Sequence, residues 1–361
     1  MKSKQDIVLE EVCSRVAKKV PTKSIILAGS RATGQAKENS DYDIAVVMRT
    51  ALVPFYLKRL KRIEAELSQK FGATMTINPL PLFRIYHARG NLFFFKLKKE
   101  AITIYGRDYL KELAPGSISD IGTDWHFSYL FTAMNELVQN FDPAFLITEQ
   151  NGEQSSRLIH DAAKAIIYCN QLHLLTKGYY ETKAEALPSL LQKLQEVNHP
   201  TTAEDLELAL TIRRGGSSQI PSPLPFWFRA RQYLLSMLYK SITDCSQDKE
   251  ELANIFQETA SRAWLKNLQY FALALLLKKE IHWRCLITQQ SIERKMHAAL
   301  LWLLLSITEG REINRAMLNR SYAILKGYAK PKQCEDNFDF WREMRNTINT
   351  YSTFACTVMG V

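Results

Sequence analysis

Two aspartates, Asp41 and Asp43, are the first candidates for chemistry in this sequence, because they stand two residues apart at the start of an apolar run. Alternate side chains of a β-strand share one face, so a strand here points both carboxylates the same way. Two neighbouring carboxylates repel each other unless a cation lies between them, and their oxygens suit Mg²⁺ or Mn²⁺. An ion held in this way can stabilise the transfer of a phosphoryl group.

A second group of candidate residues stands ten residues before Asp41, after the apolar run SIILA at 24–28. Gly29 lets the backbone approach a phosphate closely, and the Ser30 hydroxyl and nearby N–H groups can bind phosphate oxygens. Arg31 adds positive charge. An isolated Asp-x-Asp usually marks a turn or a solvated strand edge. The combination with Gly-Ser-Arg at this spacing, between two predicted strands, favours an active site.

Residues 29–44, GSRATGQAKENSDYDI, resemble the signature of the DNA polymerase β-like nucleotidyltransferases. The resemblance is strongest to the minimal nucleotidyltransferases, whose pattern is Gly-Ser, ten residues and Asp-x-Asp. It implies metal-dependent transfer of a nucleoside monophosphate, usually AMP from ATP, to an acceptor with release of pyrophosphate. It also implies that Gly29 and Ser30 hold the triphosphate and that Asp41 and Asp43 hold the metal.

Residues 156–187 are similar to the helical region that often follows such domains, from which a lysine reaches the triphosphate; Lys164 and Lys183 are the candidates. The family commonly takes a third carboxylate from a later strand, but residues 73–83, ATMTINPLPLF, contain no Asp or Glu, and Asn78 carries their only amide oxygen. Three accounts stay open. The helical region supplies the general base, with Asp161 as first candidate; the acceptor needs no base; or the protein is a weakened or inactive member.

The order of predicted elements gives the fold class. It is an α/β or α+β pattern, and the resemblance implies α+β, with a small mixed-sheet nucleotidyltransferase domain at 1–115. A large all-helical region follows at 116–361, with a possible subdivision near 213–225 at a Gly-, Ser- and Pro-rich stretch. Apolar periodicity predicts the individual elements. The predicted strands are 24–28, 42–48, 73–77 and 102–105, and the principal predicted helices are 6–20, 57–71, 156–176, 229–242, 257–279, 291–308 and 314–328.

Charge and composition narrow the class of protein. Residues 1–115 hold 21 Lys and Arg against 11 Asp and Glu, whereas the rest is balanced, so the excess favours an anionic partner such as a nucleoside triphosphate or RNA. The six cysteines form no Cys-x-x-Cys pair, which argues against a zinc site and a disulfide framework. No apolar stretch reaches the ~20 residues that a membrane span needs. We expect a cytoplasmic protein with no membrane span and no signal peptide.

The leading hypothesis is therefore an ATP- and Mg²⁺-dependent nucleotidyltransferase. Its acceptor could be a protein, an RNA, a second nucleotide or a small molecule, and the residues do not choose among them. The alternative is a degenerate, non-catalytic domain that serves as a nucleotide- or RNA-binding scaffold. Trp227 and residues 93–95, an aromatic run, could stack on bases, although core packing is the favoured interpretation.

Overall fold

The computed structural model describes residues 4–36, 40–86, 92–113, 116–118, 121, 124–148, 152–181, 183–194, 201–216, 221–242, 292–327 and 331–359. The chain divides into two compact units, one of Met1–Trp125 with Ala355–Val361 and one of His126–Phe354. This division lies ten residues beyond the boundary predicted at 115/116. The predicted helix at 257–279 lies outside the described residues.

The first unit is built on a four-stranded mixed sheet. The strand order is β3-β2-β1-β4, in which β1 pairs antiparallel with β2 and β4, and β2 pairs parallel with β3. The strands are β1 (Ser24–Ala28), β2 (Tyr42–Met48), β3 (Met75–Pro81) and β4 (Ile102–Gly106). The helices are α1 (Lys4–Lys19), α2 (Gly29–Ala32), α3 (Val53–Phe71), α4 (Leu82–Tyr86) and α5 (Leu92–Glu100). The predicted α+β class with a mixed sheet is confirmed.

The sheet buries apolar side chains on both faces. On one face α1 and α3 cover Tyr42, Ile44 and Val46 of β2, with a valine stripe from α1 completing the core. On the other face α4 and α5 pack against a smaller cluster that includes Val47 and Leu80. Because side chains alternate along a strand, burial of Tyr42 and Ile44 towards α1 and α3 sends Asp43 to the opposite face.

The outer edge of β3 is closed by α3 and by prolines. The N–H of Met75 donates to Ser68 Oγ at 3.2 Å, and the N–H of Ile77 donates to Glu64 Oε2 at 2.6 Å. The next two outward positions are prolines at 79 and 81, which carry no N–H group. An edge strand without free donors is poorly suited to pair with another chain. Parallel pairing with β2 extends β3 to Pro81, four residues beyond its predicted end at 77.

The described part of the second unit is helical. Its elements are α6 (Asp124–Gln139), α7 (Glu153–Thr176), α8 (Leu187–Lys193), α9 (Ala203–Arg213), α10 (Pro223–Ile242), α11 (Ile292–Leu305), α12 (Arg315–Leu325) and α13 (Asn337–Met359). The predicted break at 213–225 coincides with the passage from α9 to α10, although α10 starts six residues before the predicted helix at 229. None of the helices in the described ranges is long and apolar enough to cross a membrane.

Aromatic side chains fill the core of this unit. Trp227 of α10 is fully buried, packs against Phe141 with tilted rings whose centroids are 4.4 Å apart, and donates from Nε1 to the carbonyl of Leu137 at 2.8 Å. A Trp whose ring and N–H are both satisfied internally cannot stack on a base. In the first unit, Phe94 of the run at 93–95 is likewise buried against the sheet.

Candidate active site

Asp41 and Asp43 lie at the start of β2, and both are exposed. The antiparallel register pairs Asp43 with Ala28, the last residue of β1, so Asp43 lies beside the turn that begins at Gly29. Neither carboxylate has a hydrogen-bond or ion-pair partner among the described residues. Two carboxylates on one face with no protein cation between them have the donor chemistry of a Mg²⁺ or Mn²⁺ site. The residues present therefore fit a divalent cation.

Gly29 is required by geometry. Its φ is +69°, in the left-handed region that L side chains rarely adopt, and a Cβ built on it would collide with Oδ2 of Asp43. Only glycine leaves the Asp43 carboxylate in place and the backbone open beside it. Ser30 follows in the short helix α2, and its hydroxyl has no partner among the described residues. The sequence-predicted group of Gly29, Ser30, Asp41 and Asp43 is thus assembled on adjacent strand ends.

The pKa of Asp43 is raised above its ordinary value. The main cause is the loss of hydration around its carboxylate, and the second is the negative charge of Asp41. The side chain is only partly desolvated, since the residue keeps substantial solvent exposure. Both causes disfavour the ionised form, whereas a bound divalent cation would favour it.

Arg31 has a local role that the sequence did not suggest. Its guanidinium donates from Nε to the Ser40 carbonyl at 3.0 Å and lies over the Tyr42 ring, 3.8 Å from the centroid. The Gln5 side chain in α1 donates to the Arg31 carbonyl at 3.5 Å. Arg31 therefore ties the turn after β1 to the residue that precedes Asp41. A contact between Arg31 and phosphate stays a prediction.

Thr76 is the residue of β3 that lies beside Asp43 of β2. The parallel register pairs Asp43 with Thr76 and Ala45 with Asn78. Asn78, singled out in the sequence for its amide oxygen, accepts from Lys61 Nζ at 3.4 Å. Within the described ranges, no third His, Cys, Asp or Glu completes a metal-binding group with the aspartate pair. Thr76 escaped the sequence analysis because only the register of β3 shows which residue faces Asp43.

Asp161 and Lys164 lie on α7 in a buried polar group of the second unit. Asp161 is 3% exposed, accepts from Asn140 Nδ2 at 2.6 Å, and stands 3.9 Å from Lys164 Nζ. Lys164 also pairs with Glu136 at 3.1 Å. Burial is the main cause that raises the pKa of Asp161 to about 6; the charge of Glu136 adds to it, and Asn140 and Lys164 oppose it.

Lys183 differs from Lys164 in its surroundings. It precedes a short 3₁₀ helix, Ala184–Ala186, and its backbone N–H donates to Glu181 Oε1 at 2.8 Å. The residue is exposed, and its ammonium group has no partner within the described ranges. Of the two lysines, Lys183 is the one whose charge is not already neutralised by a neighbouring carboxylate.

A known protein family matches the part of the chain that carries this site. The model of the nucleotidyltransferase domain family matches residues 6–104, which include all four strands except the last two residues of β4. No protein with a curated description matches the chain by sequence. Among solved structures, the spectinomycin adenyltransferase AAD(9) of Enterococcus faecialis, crystallised with ATP and spectinomycin, is similar at 13% identity. That match covers 63% of this chain and 98% of the other, with a TM-score of 0.38. A similarity of this size says nothing about the ligands of this chain.

Proposed function

We propose that this chain, whose residues 6–104 are a nucleotidyltransferase domain of the polymerase β-like superfamily, uses Asp41 and Asp43 to hold Mg²⁺ or Mn²⁺ and moves AMP from ATP to a hydroxyl acceptor. The chain is a nucleotidyltransferase, so transfer of a nucleoside monophosphate is its general reaction. The metal, the nucleotide and the acceptor are the proposed part. The observation that carries the metal is the unpaired carboxylate pair beside Gly29.

The residues of the first unit divide the work of the proposed reaction. Gly29 and Ser30 bind the triphosphate through the open backbone and the free hydroxyl, and Arg31 fixes the turn that presents Asp41. The acceptor hydroxyl attacks the α-phosphorus, the bond to the β-phosphate oxygen breaks, and pyrophosphate leaves. When bound, the divalent cation supplies charge neutralisation for the phosphate oxygens.

The proton of the acceptor hydroxyl needs a destination, and its acceptor stays a prediction. Asp161, the first candidate from the sequence, lies in a buried, hydrogen-bonded group of the second unit. If Asp161 takes the proton, transfer rises with pH through about 6, because only the ionised form accepts it. Of the two candidate lysines, Lys164 is paired with Glu136, so Lys183 is the one with charge to offer a phosphate.

The test is incubation of the full chain with α-³²P-labelled ATP and Mg²⁺, alone, with total RNA, and with small molecules extracted from a lysate. The shape-preserving double variant Asp41→Asn/Asp43→Asn removes both charges, and Asp108→Asn removes a carboxylate that bonds Thr103 elsewhere in the same unit. Label on one acceptor class with wild type and Asp108→Asn, but not with the double variant, would establish the reaction. No labelled product with any of the four NTPs would instead favour a nucleotide-binding scaffold.

A further inference from the structure

A row of polar, uncharged side chains runs beside the two aspartates. In the parallel pair of β2 and β3, Thr76 stands opposite Asp43 and Asn78 stands opposite Ala45. Residues directly opposite in a sheet project from the same face, and neighbouring strands lie about 4.8 Å apart. The Thr76 side chain is therefore an immediate neighbour of the Asp43 carboxylate on the face that carries the site.

The two polar residues of the row differ in their partners. Asn78 accepts a hydrogen bond from Lys61, which also pairs with Glu64 at 2.8 Å, so the Asn78 amide is held towards α3. Thr76 is half-buried, and its hydroxyl has no hydrogen-bond partner in the described part of the chain. Of the two, only Thr76 offers a free oxygen beside Asp43.

The number of negative charges at the site depends on which residue lies beside Asp43. Asp41 and Asp43 together carry two negative charges when ionised, which one divalent cation neutralises. A threonine hydroxyl stays protonated at neutral pH and adds a weak oxygen ligand without charge. A second divalent cation at the same place would face the first with no additional carboxylate to offset their repulsion. The two carboxylate charges therefore match one divalent cation bound by protein ligands.

We propose that, with Thr76 rather than a carboxylate beside Asp43, this site holds only one divalent cation by its own protein ligands. The proposal rests on the proposed function, because it takes Asp41 and Asp43 to be cation ligands. It makes Thr76 a positioning residue, whose hydroxyl orients Asp43 or a water on the cation. It also identifies position 76 as the point where a single substitution changes the number of cations bound.

The experiment is titration of the full chain with Mn²⁺ in the absence of nucleotide, with free Mn²⁺ measured by electron paramagnetic resonance. We expect one Mn²⁺ per wild-type chain, lost in Asp43→Asn. Thr76→Asp should bind a second Mn²⁺, because it adds a carboxylate next to Asp43, and a folded Thr76→Asp variant that still binds one Mn²⁺ would overturn the role of Thr76. Asn78→Asp is the control: it adds the same charge one residue pair further along β3, where the Lys61 ammonium offsets it, and should change binding much less.

Each outcome decides between the two proposals. Two ions per wild-type chain, both lost in Asp43→Asn, would overturn the role of Thr76 while leaving the metal site intact. No Mn²⁺ bound by wild type at millimolar concentration would contradict the proposed metal site itself. If Thr76→Asp does not fold by circular dichroism, Thr76→Val takes its place. That variant keeps the shape and removes the hydroxyl, so unchanged Mn²⁺ affinity and unchanged Mn²⁺ hydration would count against a positioning role.

Discussion

Replacement of Asp161 by asparagine should stabilise the protein at neutral pH. Asp161 is buried on α7, and burial is the main reason that its pKa rises from 3.8 to about 6. Glu136 raises it further, while the hydrogen bond from Asn140 and the charge of Lys164 limit the rise. The side-chain amide of the Asp161→Asn variant would keep an oxygen to accept from Asn140 and would carry no charge.

The magnitude follows from linkage between protonation and folding. The difference between 3.8 and about 6 corresponds to about 3 kcal/mol. Because the folded-state pKa is raised, the folded protein binds this proton more tightly than the unfolded chain. The stabilisation is fully present below pH 3.8 and is lost as the pH rises through 6. At pH 7 the wild type therefore bears a penalty of about 3 kcal/mol that the asparagine variant does not bear.

The assay is urea unfolding of both proteins between pH 4 and pH 7.5, followed by tryptophan fluorescence. The free energy of unfolding of Asp161→Asn, minus that of wild type, should increase by about 2–3 kcal/mol over this range. Asp142→Asn is a control in which stability should change with pH in the opposite direction. Burial alone would raise the pKa of Asp142, but the hydrogen bonds from Arg342 and from the Ala144 N–H outweigh it and lower that pKa. The loss of stability in this variant should be largest at neutral pH and shrink as the pH falls.

A constant difference between Asp161→Asn and wild type across this pH range would refute the linkage argument. The same variant separates structure from catalysis. If Asp161 is the general base, the transfer rate constant falls at least about 100-fold, and the pH dependence near 6 disappears, while stability rises. A variant that is more stable and fully active would remove Asp161 from the mechanism, in favour of an acceptor that needs no base.

Further substitutions test the first unit. Gly29→Ala should reduce kcat/KM at least about 100-fold, because its Cβ displaces Asp43. Gly34 also has a positive φ, +73°, but open space surrounds it, so Gly34→Ala should cost only about 1 kcal/mol of stability and leave turnover unchanged. Equal loss of turnover in both would refute the collision. Arg31→Lys should lower kcat about tenfold, because a single ammonium cannot both reach the Ser40 carbonyl and stack on an aromatic ring as the guanidinium does. An unchanged kcat would show that Arg31 does not position the site. Glu64→Ala should lower the free energy of unfolding by about 1–3 kcal/mol, measured in urea, because an edge N–H of β3 loses its acceptor.

The sequence determined the part of the site that is local along the chain. Short-range pattern predicts one strand that ends just before Gly29 and Ser30, and a second strand that starts between Asp41 and Asp43. These four residues could therefore be named without a structure. The helical second part followed in the same way, because hydrophobic periodicity is a local signal, whereas the mixed sheet was implied by the family resemblance. The predicted elements that lie in the described residues fell within about four residues of their observed bounds, apart from the start of α10, whereas α6, α8, α9 and α13 were not predicted.

The tertiary structure decided everything that depends on pairing between distant segments. The parallel register of β3, unreadable from the run ATMTINPLPLF, sets Thr76 beside Asp43. The contacts of Arg31 with Ser40 and Tyr42 depend on where the chain returns after the turn. The raised pKa of Asp161 requires the packing of α6 on α7, since neither burial nor the approach of Glu136 is written in local sequence. Sequence pattern identifies candidate side chains. Only tertiary packing determines which groups surround each of them, and those surroundings determine its charge state, its pKa and the atoms that it can contact.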